Sequence, residues 1–367
     1  MDKPVIAARG IAAGVGSGGT GTPQVPAPAG RPAGGLLTRL TGKPDVLADD
    51  RLVSWVLRIV ACSLFALIAA MIFYVFKEAW PSFSANGLGW FKSPPAELTA
   101  DQQMAAIFEA PAGKPEETIN AWPMIYATFL TGGAAAFLGL GFALLSAIFI
   151  VEFAPPRLAR VLEPTVRLLA AVPSVVYGLF GLLVLVPFVN NTLISDGDRE
   201  AVAYVVQLNG SSLIVAVVIL TVMITPIMIA IITDALRSVP ASWQEGSTAL
   251  GVNRWRTAIK ITVRAARPAI LAALVLAFGR AIGEAIALSM VSGSVAFSPN
   301  VLDGPLFFLE PLRPLAATIV DNAEGLSVEA YGQMIYAMAA ILLLSTMVLS
   351  LGSYYAKQSM RKYSTRG

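Results

Sequence analysis

SSLIVAVVILTVMITPIMIAIIT, residues 211–233, contains no charged side chain. A transmembrane α-helix needs about 20 consecutive, mostly apolar residues, and this stretch is long enough. The composition of the whole chain agrees, because 56% of its 367 residues are hydrophobic and only 13% are charged, whereas a soluble domain carries about 25% charged residues. The stretch therefore predicts a helix that crosses a membrane rather than a helix in a soluble core.

Five further stretches have the length and the apolar character of membrane spans. The six predicted spans are residues 52–76, 122–151, 166–189, 211–233, 268–292 and 332–356. With the N-terminus placed in the cytoplasm, only 5 of the 26 Lys and Arg residues lie in the external segments, and Arg280 lies within the membrane. Because basic residues concentrate in cytoplasmic loops, the sequence predicts an all-α integral membrane protein with six transmembrane helices and both termini in the cytoplasm.

The segments outside the spans differ in composition. Residues 1–48 are rich in Gly, Pro and Ala, and they are predicted to be a disordered cytoplasmic tail because they cannot bury enough apolar surface to fold. The transmembrane domain is predicted over residues 49–356, with polar external loops at residues 77–121 and 293–330. Residues 357–367 are predicted to be a second cytoplasmic tail.

Several functions are disfavoured by what the sequence lacks. The chain has no histidine and a single cysteine, Cys62, so it offers neither the commonest metal ligand nor an intrachain disulfide. GLLTRLTGKP, residues 35–44, lacks the glycine spacing of an ATP-binding phosphate loop and has Pro44 after Lys43. We therefore predict no metal site, no catalytic residue and no cofactor in this chain. Basic residues concentrate in the predicted cytoplasmic loops, as expected of a membrane protein. Their number therefore does not indicate a nucleic-acid partner, and none is predicted.

The longest cytoplasmic connection, residues 235–267, contains the signals of short helices. Ser242 and Glu245 have the S-x-x-E spacing of a capping box, and Gly251 is placed to end that helix. A second, basic helix begins near Asn253. Such a segment either lies on the membrane surface or docks in a groove of a cytoplasmic partner.

This loop resembles the EAA loop of ABC importer permeases. The resemblance rests on Glu245, on Gly251 six residues later and on Ile261 ten residues further on, while the two alanines and the final proline of the family motif are absent. In that family the loop forms the helix that docks onto a separate ATP-binding subunit. The resemblance implies that Glu245, Ala249, Leu250 and Gly251 couple this chain to such a subunit, which would bind ATP in its place.

Two further stretches resemble one branch of that family. GRAIGEAIA, residues 279–287, is similar to the GRALGETMA sequence of phosphate-specific permeases, and LLAAVPSVVYGLFGL, residues 168–182, is similar to a helix of the same proteins. Together with the six spans, the resemblance covers residues 52–356 and is to the PstC-like subunits. It implies the fold of a type I ABC importer permease and no enzymatic activity in the chain itself.

The function implied by the resemblance is ATP-driven import of inorganic phosphate across the cytoplasmic membrane. The implied partners are a second, PstA-like permease subunit in a heterodimer, two copies of the ATP-binding subunit, an external phosphate-binding protein and membrane lipid. Four alternatives stay open at this point. They are a permease for another oxyanion such as sulfate or molybdate, a PstA-like subunit, a carrier or channel that works alone, and a structural subunit without transport activity.

Arg280 and Glu284 are charged residues inside an otherwise apolar predicted span, where each charge costs about 2.5–3.5 kcal/mol. Because they are four residues apart, they are predicted to share one helical face and to neutralise each other. Gly279 and Gly283 beside them are predicted to let a second helix approach closely. The pair is either structural or lines a pathway in which Arg280 binds phosphate oxygens, for which its planar guanidinium is suited.

Pro173 interrupts the third predicted span, where it is expected to kink the helix. Ser174 and Tyr177 follow it in the sequence. These two residues are predicted either to face the substrate or to form hydrogen bonds between helices. Together with Arg280 and Glu284, they make up the predicted substrate pathway.

Overall fold

The computed structural model describes residues 46–95, 98–110 and 118–364. The chain divides into two units, residues 1–65 and 66–367. Of the first unit, the described part is the beginning of the first helix. The predicted tail at residues 1–48 therefore lies outside the described residues, apart from its last three.

Helices and turns make up the regular structure of the described residues, which contain no strand. The fourteen α-helices found there are α1 (Val46–Asn86), α2 (Ala100–Glu109), α3 (Trp122–Ile148), α4 (Pro156–Ala170), α5 (Ser174–Phe180), α6 (Val186–Thr192), α7 (Asp196–Val202), α8 (Leu213–Arg237), α9 (Ala241–Ala249), α10 (Arg254–Thr257), α11 (Val263–Ile282), α12 (Ile286–Val291), α13 (Leu315–Asp321) and α14 (Glu329–Ser364). Three π-helical turns lie at Phe149–Phe153, Gly181–Leu185 and Ala258–Thr262. Three 3-10 helices lie at Gly87–Phe91, Val301–Phe308 and Ala323–Ser327.

Six helical segments of the described chain are long and apolar enough to cross a membrane, which confirms the predicted number. They are Arg51–Phe91, Trp122–Phe153, Ser174–Thr192, Leu213–Arg237, Arg254–Ile282 and Glu329–Tyr355. The helix of the sixth span continues to Ser364, through most of the predicted tail at residues 357–367, and residues 365–367 lie outside the described part. The cytoplasmic position of the two termini stays a prediction.

Two of the predicted spans are interrupted. The third, predicted over residues 166–189, begins only at Ser174, because α4 ends at Ala170 and Pro173 stands in extended backbone before α5. A proline ring inside a helix removes a hydrogen bond and clashes with the preceding turn, so here the helix stops rather than bends. The fifth, predicted over residues 268–292, ends at Ile282 and resumes as α12.

The fourth span, α8, is the most buried of the six and packs against α3 and α11. It is apolar on all sides, as a helix enclosed by other helices should be, and Leu220, Ile224 and Met228 are fully buried. Small residues bring its neighbour close. A Cβ atom on Gly139 of α3 would lie 3.2 Å from the Thr225 hydroxyl oxygen of α8. Inside a membrane, the hydrophobic effect does not drive helices together. Close packing of this kind stabilises helix pairs there instead.

The two segments predicted to be external loops contain helical structure that the sequence analysis did not predict. In residues 77–121, α2 begins with a capping box formed by Thr99 and Gln102. In residues 293–330, α13 lies between two 3-10 helices. The Arg313 guanidinium lies 2.8 Å from the Asp101 carboxylate and so ties the two segments together.

Glu310 is a carboxyl group buried in the second of these segments, where only 1% of the residue is exposed. Burial raises the pKa of Glu310 above its ordinary value of 4.5, and the negative charge of Asp303 acts in the same direction, while the Asn300 N–H donates to Glu310 and opposes the shift. A carboxyl whose pKa is raised by folding holds its proton more tightly in the folded state. Its contribution to stability is therefore present below the unfolded pKa and is lost as the pH rises through the folded pKa.

Replacing Glu310 with Gln should therefore raise the melting temperature of the purified protein at neutral pH and flatten its pH dependence above pH 4.5. Melting curves recorded in detergent across that range would show the effect. Glu324→Gln, a change at an exposed carboxylate of the same segment, serves as the control and should leave the pH dependence as in the wild type. Parallel pH profiles for Glu310→Gln and the wild type would contradict the prediction.

Candidate functional site

The two interrupted spans meet where each of them resumes. α5 packs against α12, and glycine makes this contact possible. A Cβ atom on Gly178 of α5 would lie 2.9 Å from the Ala287 Cα and 2.9 Å from the Met290 sulfur of α12. One turn later, a Cβ atom on Gly181 would lie 2.7 Å from a Val291 side-chain carbon. The contact leaves no room for a side chain, so α5 and α12 are positioned by these glycines.

Arg280 lies in the last turn of α11, and it is not paired with Glu284 as predicted. The helix ends at Ile282 with Gly283 as its C-cap, so the spacing of four residues no longer places both charges on one helical face. The Glu284 carboxylate instead accepts a hydrogen bond of 3.1 Å from the Ala287 N–H and so caps α12. Among the described residues, no carboxylate lies within ion-pair distance of the exposed Arg280 guanidinium.

Tyr177 is a predicted pathway residue whose hydroxyl is engaged at the break in the third span. That hydroxyl donates a hydrogen bond of 3.0 Å to the Leu169 carbonyl, which lies in the last turn of α4. Ser174 is half-buried at the first position of α5. The structure therefore uses Tyr177 to bind the end of α4 and leaves Ser174 at the helix break.

A cleft of about 570 Å³ lies beside Arg280 and Gly279. Its polar lining also includes Thr346, Ser350 and Ser353 of α14, which the sequence analysis did not single out. These residues recur at intervals of four and three in a mostly apolar span, which is the spacing of a polar stripe on one helical face. That spacing is the signal that could have identified them.

The packing role predicted for Gly279 and Gly283 has no partner among the described helices of this chain. A Cβ atom on Gly279 would meet no described atom within 4 Å, and one on Gly283 would meet only carbonyl oxygens of its own helix, at 3.5 and 3.8 Å. This face of α11 is open. A close-packing role for the two glycines stays a prediction and would require a second chain.

The loop at residues 235–267 contains the predicted short helix as α9, which ends at Ala249. Gly251 follows it with φ of +78°, a left-handed backbone conformation that glycine adopts without strain. The start differs from the prediction, because Ser242 lies inside α9 and makes no capping bond at its N-terminus. Glu245 is exposed, and Leu250 is 85% exposed.

The second helix of this loop begins as predicted. Asn253 precedes α10, and its side chain accepts a hydrogen bond of 2.8 Å from the Arg256 N–H. Trp243 of α9 is 54% exposed, so α9 presents an aromatic side chain together with Glu245 and Leu250 at the surface. Exposed apolar groups of this kind are typical of a protein-docking surface.

Comparison with known proteins places the site in a family context. Residues 139–362 match the family described as binding-protein-dependent transport system inner membrane component. The chain is 39% identical over 178 residues to the probable ABC transporter permease protein YqgH of Bacillus subtilis, a match that covers 48% of this chain and 54% of that protein. It is 28% identical over 294 residues to the phosphate transport system permease protein PstC 1 of Mycobacterium tuberculosis, which covers 78% of this chain and 86% of that protein.

The fold is similar to that of a chain in the crystal structure of a bacterial alginate ABC transporter in complex with an alginate pentasaccharide-bound periplasmic protein. The TM-score is 0.53 at 14% sequence identity, and the alignment covers 85% of this chain and 97% of that chain. At this level of identity the likeness concerns the fold. It agrees with the predicted importer-permease architecture of six membrane-spanning helices.

Gly178→Ala should separate α5 from α12, because the added methyl group would press against the Ala287 backbone, which cannot rotate away. Overpacking of a well-packed contact typically costs about 1–3 kcal/mol, so the melting temperature in detergent should fall by several degrees. Gly141→Ala is the matched control, since a Cβ atom on that α3 glycine would meet nothing within 4 Å. Equal melting temperatures for the two variants would show that the α5–α12 contact is not sterically closed.

Proposed function

The chain belongs to the family of binding-protein-dependent transport system inner membrane components, and on that basis we propose that it is the permease subunit of an ATP-driven importer of inorganic phosphate. As a member of this family it is a transport permease and not an enzyme. The proposed cargo is supported by the relatives named as phosphate transport permeases, whose matches extend over most of both chains. It is supported further by the GRAIGEAIA sequence at residues 279–287.

The observation that carries the proposal is the Arg280 guanidinium, which forms no ion pair within the described part of the chain. An arginine at membrane depth costs about 2.5–3.5 kcal/mol on insertion scales. Since no described carboxylate, Glu284 included, lies within ion-pair distance of Arg280, its positive charge is available to another group. Its planar donors match the oxygens of phosphate in a bidentate arrangement. A surface shared with a second permease subunit would cover this charge and place it along the route of an anion.

Hydroxyl groups around Arg280 supply further donors of the kind that an oxyanion accepts. Thr346 and Ser350 line the same cleft as Arg280, and Tyr177 contributes a further hydroxyl from α5. We propose that they contact the passing phosphate together with Arg280, for which Tyr177 and Thr346 would release their bonds to the Leu169 and Leu343 carbonyls, while Ser174 lies at the start of α5. A translocated ion must bind well enough to enter and weakly enough to leave. One guanidinium with a few hydroxyl donors satisfies that condition better than a cluster of arginines.

Energy for transport is proposed to reach the chain through α9. The exposed Trp243, Glu245 and Leu250 would dock in a groove of a cytoplasmic ATP-binding subunit, as short helices commonly do, with Ala249 and Gly251 fixing the end of the helix. Two copies of that subunit would bind ATP, so the chain itself needs no cofactor. A PstA-like chain would complete the pathway as a heterodimer in the cytoplasmic membrane. An external phosphate-binding protein would deliver the cargo.

Arg280→Ala should lower phosphate uptake by about tenfold or more, because losing one charge-assisted hydrogen bond costs at least about 1.4 kcal/mol. Arg280→Lys keeps the charge but not the planar fork, so its uptake should be intermediate. Uptake of labelled phosphate would be measured in cells whose membranes contain equal amounts of each variant.

Arg157→Ala, a change at an exposed arginine of α4, is the control and should transport at the wild-type rate. Wild-type uptake by Arg280→Ala would remove Arg280 from the proposed pathway. Unlabelled sulfate or molybdate could also compete with labelled phosphate at the concentration at which unlabelled phosphate does. That result would assign another oxyanion as the cargo.

A further inference from the structure

Glu152 is a carboxylate buried at the end of the second span. It lies in the π turn Phe149–Phe153, and only 5% of the residue is exposed. A buried charge is tolerated only when hydrogen bonds or an opposite charge compensate it. The compensating groups come from the loop at residues 235–267, which is about ninety residues away in the sequence and belongs to a different part of the fold.

Gln244 of α9 is the main partner of Glu152. Its amide nitrogen donates to the Glu152 carboxylate over 3.2 Å and to the Thr262 hydroxyl oxygen, also over 3.2 Å. A glutamine amide has two donor hydrogens, and both are used here. Thr262 ends the π turn Ala258–Thr262, just before α11. Gln244 therefore bridges two π turns, one at the end of the second span and one at the beginning of the fifth.

The same carboxylate also reaches α10. The Arg254 Nε atom lies 3.9 Å from the second oxygen of Glu152, and its guanidinium lies 5.6 Å above the ring of Phe153. The Phe153 ring packs in turn against Trp255, with 6.0 Å between the ring centroids. The π turn at the end of the second span is thus in contact with both helices of the loop.

α9 has two distinct faces. Gln244 and Ser247 point inward, and the Ser247 hydroxyl forms a hydrogen bond of 2.9 Å with the Thr257 hydroxyl. Trp243 and Glu245 point outward and are exposed. A force applied to the outward face by a docked subunit reaches α8 along the backbone, and it can reach the second and fifth spans through these inward contacts. Among these contacts, only that of Gln244 touches both π turns.

We propose that Glu152, Gln244 and Thr262 form a clasp that passes the movement of α9 to the second and fifth spans together. This inference rests on the proposed function as an ATP-driven permease. If α9 moved alone, the buried Glu152 carboxylate would lose its donor, and leaving a buried charged acceptor unsatisfied is costly. π turns hold an extra residue within a helix and are common at functional sites. In this assignment Glu152 and Gln244 are positioning residues, and they do not touch phosphate.

The test uses the complete transporter reconstituted in proteoliposomes, with the binding protein, inorganic phosphate and ATP. Phosphate import and ATP hydrolysis are measured in the same vesicles. Gln244→Met keeps the length of the side chain but removes both hydrogen bonds. It should raise the ATP hydrolysed per phosphate imported by about tenfold, the factor expected for losing one charge-assisted hydrogen bond. Glu152→Gln keeps an acceptor oxygen for Gln244, so its ratio should stay near that of the wild type.

Glu163→Gln is the matched control. Glu163 also pairs with an arginine, Arg237, but it joins α4 to α8 and does not touch α9. Its ATP-to-phosphate ratio should be unchanged. Glu152→Ala removes the same bond from the opposite side, and it should raise the ratio as Gln244→Met does. This second variant keeps the proposal testable if Gln244→Met does not fold.

The outcomes separate the two proposals. A wild-type complex that hydrolyses ATP but imports no phosphate would overturn the proposed function. Normal wild-type import together with an unchanged ratio in Gln244→Met and Glu152→Ala would overturn the clasp alone. The clasp would also be overturned if either variant no longer co-purified with the ATP-binding subunit. The contact would then serve to hold α9 in place for docking and would not transmit its movement.

Discussion

Every backbone polar group freed inside a membrane must find a partner within the protein, and the two interrupted spans are built around that constraint. At the first break, the Leu169 carbonyl accepts the Tyr177 hydroxyl and the Val172 N–H. At the second, the Ala287 N–H donates to the Glu284 carboxylate. Two residues predicted to contact substrate thus satisfy the ends of broken helices. The two breaks are tolerated because neighbouring polar side chains form hydrogen bonds with backbone groups at the ends of the broken helices.

This use of Glu284 determines the electrostatics of the site. The Glu284 carboxylate bonds the Ala287 N–H and lies beyond ion-pair distance of the Arg280 guanidinium, so it does not neutralise that charge on the open face of α11. Gly279 leaves that face without a side chain, and the α14 hydroxyls lie across the cleft. An exposed cation beside hydroxyl donors, on a helix that must lie in a membrane, needs either a partner subunit or water and an anion. The same helix break therefore explains both the missing ion pair and the proposed pathway.

Long apolar runs predicted the number of spans correctly, since a helix needs sufficient length and apolar character to cross a bilayer. Gly251 predicted the end of α9 because the local backbone requires a left-handed residue there. Pro173 and Gly283 were less informative. Whether such a residue bends a helix or ends it depends on what packs beside it, here α12 against Gly178. The pairing of Arg280 with Glu284 assumed an unbroken helix, and it failed for that reason.

Contacts between distant segments were beyond the reach of the sequence pattern. In the sequence, Glu152 is a polar residue at the end of an apolar run, and Gln244 is a polar residue in a loop. Only the fold brings the Gln244 amide nitrogen to 3.2 Å from the Glu152 carboxylate. The α14 hydroxyls carried a periodic signal, but nothing in the sequence related them to Arg280. Sites assembled from several spans become visible only when the packing of those spans is known.

α11 connects the proposed clasp with the proposed phosphate pathway. Thr262, which the clasp holds, immediately precedes this helix, and Arg280 lies in its last turn. The eighteen residues between them correspond to about 27 Å of helix at 1.5 Å per residue. A helix transmits displacement along its axis because its hydrogen bonds resist stretching, and Pro268 lies near its beginning, in the second turn. Under the proposed function, a shift of α9 would thus reach the Arg280 guanidinium along the continuous helix α11. It would not need a separate network of side-chain contacts.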